Sequence, residues 1–213
     1  MSTSVPESDH APPPSNRIRR DRWRWPRRAA IAAAVGFGVV AGTLAVAWFA
    51  FPLPAGMLHP GPGGSLVLDR EGGVLVDTVA FDDQRRLPID LSDAGPWIPA
   101  AVIAVEDSAF RSHPGVDPSA ILASARANLA AGRIVRGGST IPMQVAGMRL
   151  DHPRPLPGKA VEAFRALQIE ASHDKDAILE AWLNLAPFGG NLVGIEAASR
   201  GWFGKPAREC TLA

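Results

Sequence analysis

The sequence predicts a mainly α-helical domain with one small β-hairpin, carried behind a single membrane-crossing helix. Three observations predict it. Ala29 to Phe51 is a run of 23 residues with neither a charge nor a proline. Beyond it, apolar residues recur at three- and four-residue steps in one segment after another, the spacing of one helix face. Only Leu66-Val67-Leu68 and Val74-Leu75-Val76, separated by a turn ending in Gly72-Gly73, read as paired strands.

Composition narrows the function classes. The 213 residues are 46% hydrophobic and 20% charged, and the one Cys excludes a disulfide framework within the chain. The near-balance of 22 basic and 21 acidic groups hides a segregation: residues 1–51 hold seven Arg and three acids, and the rest holds 15 basic and 18 acidic groups. The larger part has no basic excess, so no nucleic-acid partner is expected.

Residues 1–28 read as a disordered, Arg-rich tail, since Pro12-Pro13-Pro14 and the residues around them offer little to bury. The run 29–51 would make a helix about 34 Å long, enough for a hydrocarbon core of roughly 30 Å. A cleaved signal peptide and a buried helix are the competing readings. The first usually has a shorter apolar run, and the second leaves unexplained the seven Arg at one end only. Trp48, Phe49 and Phe51 stand where an interfacial belt is expected, and no Lys or Arg follows before Arg70. The positive-inside bias then puts the N-terminus in the cytoplasm and the domain outside it.

Four Pro and four Gly make residues 52–64 a juxtamembrane linker, and 65–213 the domain. After the hairpin, whose Gly pair would supply positive-φ turn positions, comes a polar stretch, 82–96. Ile98, Val102, Val105 and Ala109 then predict a helix with a buried stripe. Asp117-Pro118 is a cap followed by a first-position proline, Ile121, Leu122, Ala125 and Leu129 give the apolar side, and Gly132 the stop. Ile141–Leu150 is the next helix, with Pro142 tolerable only in its first turn. Residues 159–172 follow, with Val161, Phe164, Leu167 and Ile169 inward. Asp174 caps a helix carrying Ile178, Leu179, Trp182, Leu183 and Leu185, and Ile195–Arg200 ends before Gly201. Thr211-Leu212-Ala213 reads as the start of another helix, so the domain is expected to be incomplete at this end.

Periodicity does not explain several polar groups. Glu106 lies one residue beyond Val105, where a partly enclosed carboxylate would be raised toward a general-base range; an exposed acid at a helix end is the simpler alternative. Gly137-Gly138-Ser139-Thr140 precedes a helix, a place for backbone N–H groups to hold phosphate, or merely a capped Gly turn. Lys159 and Glu162, three apart, share a helix face as either a surface pair or a cation with a second carboxylate. Lys175, Glu180, Asn184 and the loop 187–191 form a further polar patch.

In their order these segments resemble the glycosyltransferase domain of class A penicillin-binding proteins and monofunctional peptidoglycan glycosyltransferases (glycosyltransferase family 51), from about Ser65 to Ala213. Glu106, Asp107, Phe110, His113 and Gly115 complete the first motif, and Gly137 to Gln144 the second. The third keeps Lys159 and Glu162 but has Gly158 for Arg. The fourth runs from Lys175 to Asn184 with Trp182 for Tyr, and the fifth covers Gly194 to Ala198 followed by Trp202-Phe203-Gly204-Lys205. Met143-Gln144, Gly158-Lys159 and Ala186 to Gly190 look most like the penicillin-binding protein 1C subgroup.

The resemblance implies a lysozyme-like bilobed helical fold and polymerisation of lipid II into glycan strands, with undecaprenyl pyrophosphate released in the outer leaflet of a bacterial inner membrane. Glu106 would be the general base. Glu162 would assist, holding Mg2+ or Mn2+ on the pyrophosphate, and Lys159 would supply positive charge to the leaving group. Asp107 and His113 would order the first-motif loop, and with Phe110, Gly138, Ser139, Thr140, Gln144 and Asn184 they are expected to bind substrate. Partners would be lipid II, the growing strand, the bilayer and other cell-wall synthesis proteins. Gly158 loses a bidentate guanidinium, Pro142 loses a backbone donor, and no serine transpeptidase segment follows, so penicillin binding is not expected. An inactive fragment, a non-catalytic cell-wall scaffold and a lysozyme-like hydrolase remain the alternatives.

Overall fold

The computed structural model describes residues 24–135, 137–150 and 156–211. The expected tail, Arg136 and the final helix turn at 212–213 lie outside them, the tail's last few residues excepted. The chain divides into two compact units, one up to Pro52 and one from Leu53 onward.

The first unit contains helix α1, Arg24–Ala50. Its segment Arg27–Ala50 has a mean hydropathy of 2.1 and is long and apolar enough to cross a membrane. The helix begins ahead of the uncharged run, because nothing in the preceding arginines opposes helical geometry.

In the second unit, β1 (Leu66–Leu68) and β2 (Val74–Asp77) form the expected antiparallel hairpin, with a bulge between Val67 and Leu68. Of the two turn glycines only Gly72 has positive φ, at 85°. The turn is closed instead by Asp69, whose Oδ1 accepts the N–H groups of Glu71 and Gly73. An unexpected second pair, β3 (Arg85–Arg86) beside β4 (Leu192–Val193), is parallel and joins distant parts of the chain.

Helices α2 (Trp97–Glu106), α3 (Pro118–Ala131), α4 (Ile141–Arg149), α5 (Leu156–Ser172), α6 (Lys175–Leu185) and α7 (Ile195–Phe203) complete the unit. Their caps follow the sequence. Asp117 accepts from the N–H of Ser119 and Ala120, Asp174 from Ala177, and Gly132 ends α3 in the left-handed conformation. The core lies between α4, α5 and α6, where Phe110, Ile141, Val145, Ile169, Ile178 and Leu179 are fully buried.

The helix faces depart from expectation in three places. On helix α2 Ile98 and Val102 are half-buried against the core as expected, but Val105 is 80% exposed, and the helix stops at Glu106 before reaching Ala109. On α3 the apolar side chains Ile121, Leu122 and Leu129 are exposed, and the buried residue is Ser124, whose hydroxyl donates to the Gly137 carbonyl at 2.8 Å. On α5 the buried residues are Gly158, Glu162, Ala166, Gln168 and Ile169, with Phe164 half-buried, whereas Val161 and Leu167 are exposed. A fourth departure concerns length. Helix α7 runs through Gly201 to Phe203, because a Cβ on Gly201 would lie 2.8 Å from Leu192 Cδ1: the glycine serves close packing, and Gly204 is the stop.

Candidate active site

The site is built on a loop that the chain clamps from several directions. Glu106 is the last residue of α2, and Asp107 leaves helical geometry with φ −159°. The buried Asp107 Oδ2 accepts from His113 Nε2 at 2.9 Å and from the Ile141 N–H at 2.9 Å. His113 Nδ1 in turn accepts the Gly115 N–H at 3.1 Å, which places the imidazole proton on Nε2. Gly115 has φ +103°, and a Cβ there would sit 2.6 Å from the Ala166 carbonyl oxygen. Its own carbonyl accepts from the Thr140 hydroxyl at 2.6 Å. Beneath the loop Phe110 is fully buried, with Lys175 Nζ 4.7 Å from its ring centroid. Lys175 also donates to the His113 carbonyl and pairs with Glu170. Asp107, Phe110 and His113 therefore shape the wall beneath Glu106.

The second-motif segment is likewise occupied by its own structure. Thr140 caps α4 and Asp107 takes the Ile141 N–H, so these donors are not presented to a phosphate. Pro142 lies in the first turn of α4, where a missing N–H breaks no helical bond, and its expected cost does not arise. Gly138 is needed for packing, because a Cβ would approach Ile121 Cα to 3.0 Å. Ser139 is the residue of this segment that reaches onward, accepting from Lys159 Nζ at 3.3 Å.

Glu106 is exposed at the end of α2, the simpler of the two readings of its place in the sequence. Its Oε2 accepts from Gln144 Nε2 at 2.9 Å, and Gln144 Oε1 accepts from the Trp182 indole at 2.8 Å. Two cavities meet at this pair. One, of about 310 Å3, is lined by Glu106, Gln144, Asp117, Gly138, Ser139 and Thr140 among others. The other, of about 390 Å3, adds Lys159, Glu162, Trp182 and Phe188 to Glu106 and Gln144. In the first, the Ser119 hydroxyl and then the Ala120 N–H hold the Asp117 carboxyl below the usual carboxylate range.

Glu162 is 3% exposed and accepts from Lys159 Nζ at 2.6 Å. A divalent cation expected on Glu162 would have to compete with this ammonium. Among the described residues no three His, Cys, Asp or Glu side chains converge on one point. These donors do not fit a resident cation site.

Asn184 stands apart from this cleft. Its amide accepts from the Ile89 N–H at 3.0 Å and donates to the Ile89 carbonyl at 2.8 Å, so both ends are engaged with backbone. Glu180 similarly accepts the Leu91 N–H. Trp182 joins the site although its spacing marked it only as core. No sequence feature ties it to Gln144.

Residues 72–213 match the family model described as Transglycosylase. The chain is 40% identical to "Penicillin-binding protein 1C" of Escherichia coli over 155 residues, 73% of this chain and 20% of that protein. Over 152 residues it is 39% identical to "Penicillin-binding protein 1A" of Aquifex aeolicus, 71% of this chain and 20% of that protein. It is 37% identical to "Biosynthetic peptidoglycan transglycosylase" of Rhodospirillum centenum over 184 residues, 86% of this chain and 72% of that protein. The aligned part thus covers about a fifth of these penicillin-binding proteins and most of the transglycosylase.

Proposed function

The chain belongs to the transglycosylase family, and from that premise we propose that it is a peptidoglycan glycosyltransferase, joining lipid II units into glycan strands. The observation that carries this is the single cleft lined by Glu106, Gln144, Lys159 and Glu162. In this reading Glu106 takes the proton from the 4-hydroxyl of the incoming unit as that oxygen attacks the anomeric carbon of the growing chain, with inversion. The bond from that carbon to the pyrophosphate oxygen breaks, and the undecaprenyl pyrophosphate departs with its electrons. Developing negative charge needs a fixed cation, and Lys159 is one, held by the buried Glu162 and by Ser139. Positive charge is supplied there by the protein itself, and no step is assigned to a metal.

Substrates carried on a polyprenyl chain call for work at a bilayer. Two observations support this: the span Arg27–Ala50 and the exposed apolar side chains Val105, Ile121, Leu122, Leu129 and Ile134. In this reading the N-terminal end of the span is cytoplasmic and the domain lies on the outer side of a bacterial inner membrane, which the arginines before the span support through the positive-inside bias.

The test is to incubate the detergent-solubilised chain, and its Glu106→Gln variant, with labelled lipid II. Glycan polymer from the parent and none from the variant is expected. Precursor binding without polymer would favour a scaffold, release of soluble muropeptides a hydrolase, and either result overturns the proposal.

A further inference from the structure

We propose that Trp182 is a positioning residue, fixing which end of the Gln144 amide faces Glu106 and thereby the orientation of the base. This rests on the reading of Glu106 given above. A glutamine amide presents N–H groups at one end and an oxygen at the other, and the two flips fill the same space. An indole N–H can only donate. The bond from Trp182 Nε1 to Gln144 Oε1 therefore turns the Gln144 NH2 group toward Glu106 Oε2, where it donates at 2.9 Å. The opposite flip would set N–H against N–H at Trp182 and oxygen against carboxylate at Glu106, losing both bonds. A hydroxyl in place of the indole would accept or donate equally and would leave the flip undecided.

The three residues differ in mobility in a way that makes the direction of control clear. Trp182 is 7% exposed within α6, packed among the core residues, with its ring edge-on to Phe188 at 6.4 Å and 90°. Glu106 is exposed at a helix end, and Gln144 supplies its one hydrogen bond among the described residues. A rigid donor thus orients an amide, and the amide holds one carboxylate oxygen while Oε1 remains available to the cleft. Such control spares the base a search among rotamers, which is the source of the benefit.

The experiment replaces Trp182 by 3-benzothienylalanine, site-specifically, in the full chain. That side chain keeps the shape of tryptophan and lacks only the N–H; Trp182→Phe is the second variant. Expected for both is a loss of about tenfold to a hundredfold in kcat, with KM for lipid II within about twofold of the parent. The isostere should melt within a few degrees of the parent, the cost of one lost hydrogen bond, and Trp182→Phe lower still, which separates positioning from packing. The Gln144 side-chain amide resonances, assigned by their disappearance in Gln144→Met, should lose their protection from solvent exchange in both variants. Full turnover by the isostere, or unchanged amide protection, overturns the inference. Should the parent itself form no polymer, the reading of Glu106 fails, and the amide measurement still decides whether Trp182 fixes the flip.

Discussion

Gly147 lies so close to Glu162 that a Cβ on the glycine would stand 3.1 Å from the Glu162 Oε1. Helix α4 thus leaves out a side chain where α5 buries a carboxylate, and that carboxylate holds Lys159. Gly147→Ala brings two opposed effects. Alanine inside a helix gains about 1 kcal/mol over glycine. Crowding a carboxylate that cannot leave its partner costs about 1–3 kcal/mol. The net effect on stability runs from nothing to a loss of about 2 kcal/mol, and the displacement remains. We expect a Tm lower by no more than about 8 °C and a clear fall in the rate of glycan polymerisation. A variant that melts higher and polymerises normally would show that the Glu162–Lys159 geometry has slack.

The Asp107–His113 pair gives the second prediction. Both side chains are more than nine-tenths buried, and the imidazole accepts from Gly115 on its other side. His113→Ala deprives a buried carboxylate of one donor and strands the Gly115 N–H. The cost should be about 3 kcal/mol. For a domain of this size that corresponds to a Tm lower by about 6–12 °C, measured by the loss of helical circular dichroism. A Tm within two degrees of the parent (about 0.5–1 kcal/mol) would mean that the first-motif loop is held by Lys175 and Phe110 and not by this pair.

The helices were legible where the signal is local. Asp117-Pro118, Asp174 and Gly132 each act on backbone groups within a few residues, and each stands where its chemistry required. Which face of a helix is covered is not local. On α3, Ile121, Leu122 and Leu129 share a side as their spacing says, and that side is uncovered, because the helix turns inward the neighbouring side that carries Ser124, where Gly138 comes close to the Ile121 backbone. On α5 a buried carboxylate displaced the apolar stripe: its pairing with Lys159 follows from their spacing, but the gap at Gly147 that lets it be buried comes from packing that periodicity does not report. The two-residue strands Arg85–Arg86 and Leu192–Val193 carry no pattern and lie too far apart in sequence to suggest each other. The grouping of Glu106, Gln144, Lys159 and Glu162 could be read through motif order. The Trp182–Gln144 bond spans 38 residues and could not.

Asn184 separates motif from contact most sharply. Its place at the end of the fourth motif suggests a substrate ligand, yet both ends of its amide are bonded to Ile89 and the side chain is buried. A residue so engaged holds the segment before the turn Leu91–Ala94 against α6, and its loss should be felt as stability. Asn184→Ala would leave one backbone N–H and one carbonyl without their partners, at a cost of about 2 kcal/mol. The expected Tm is lower by about 4–8 °C. Turnover and KM for lipid II, measured well below that melt and normalised to folded protein, should match the parent. If instead KM rises tenfold while the melt stays put, the Asn184 amide exchanges Ile89 for substrate during the reaction, and the fourth motif belongs to the binding surface after all.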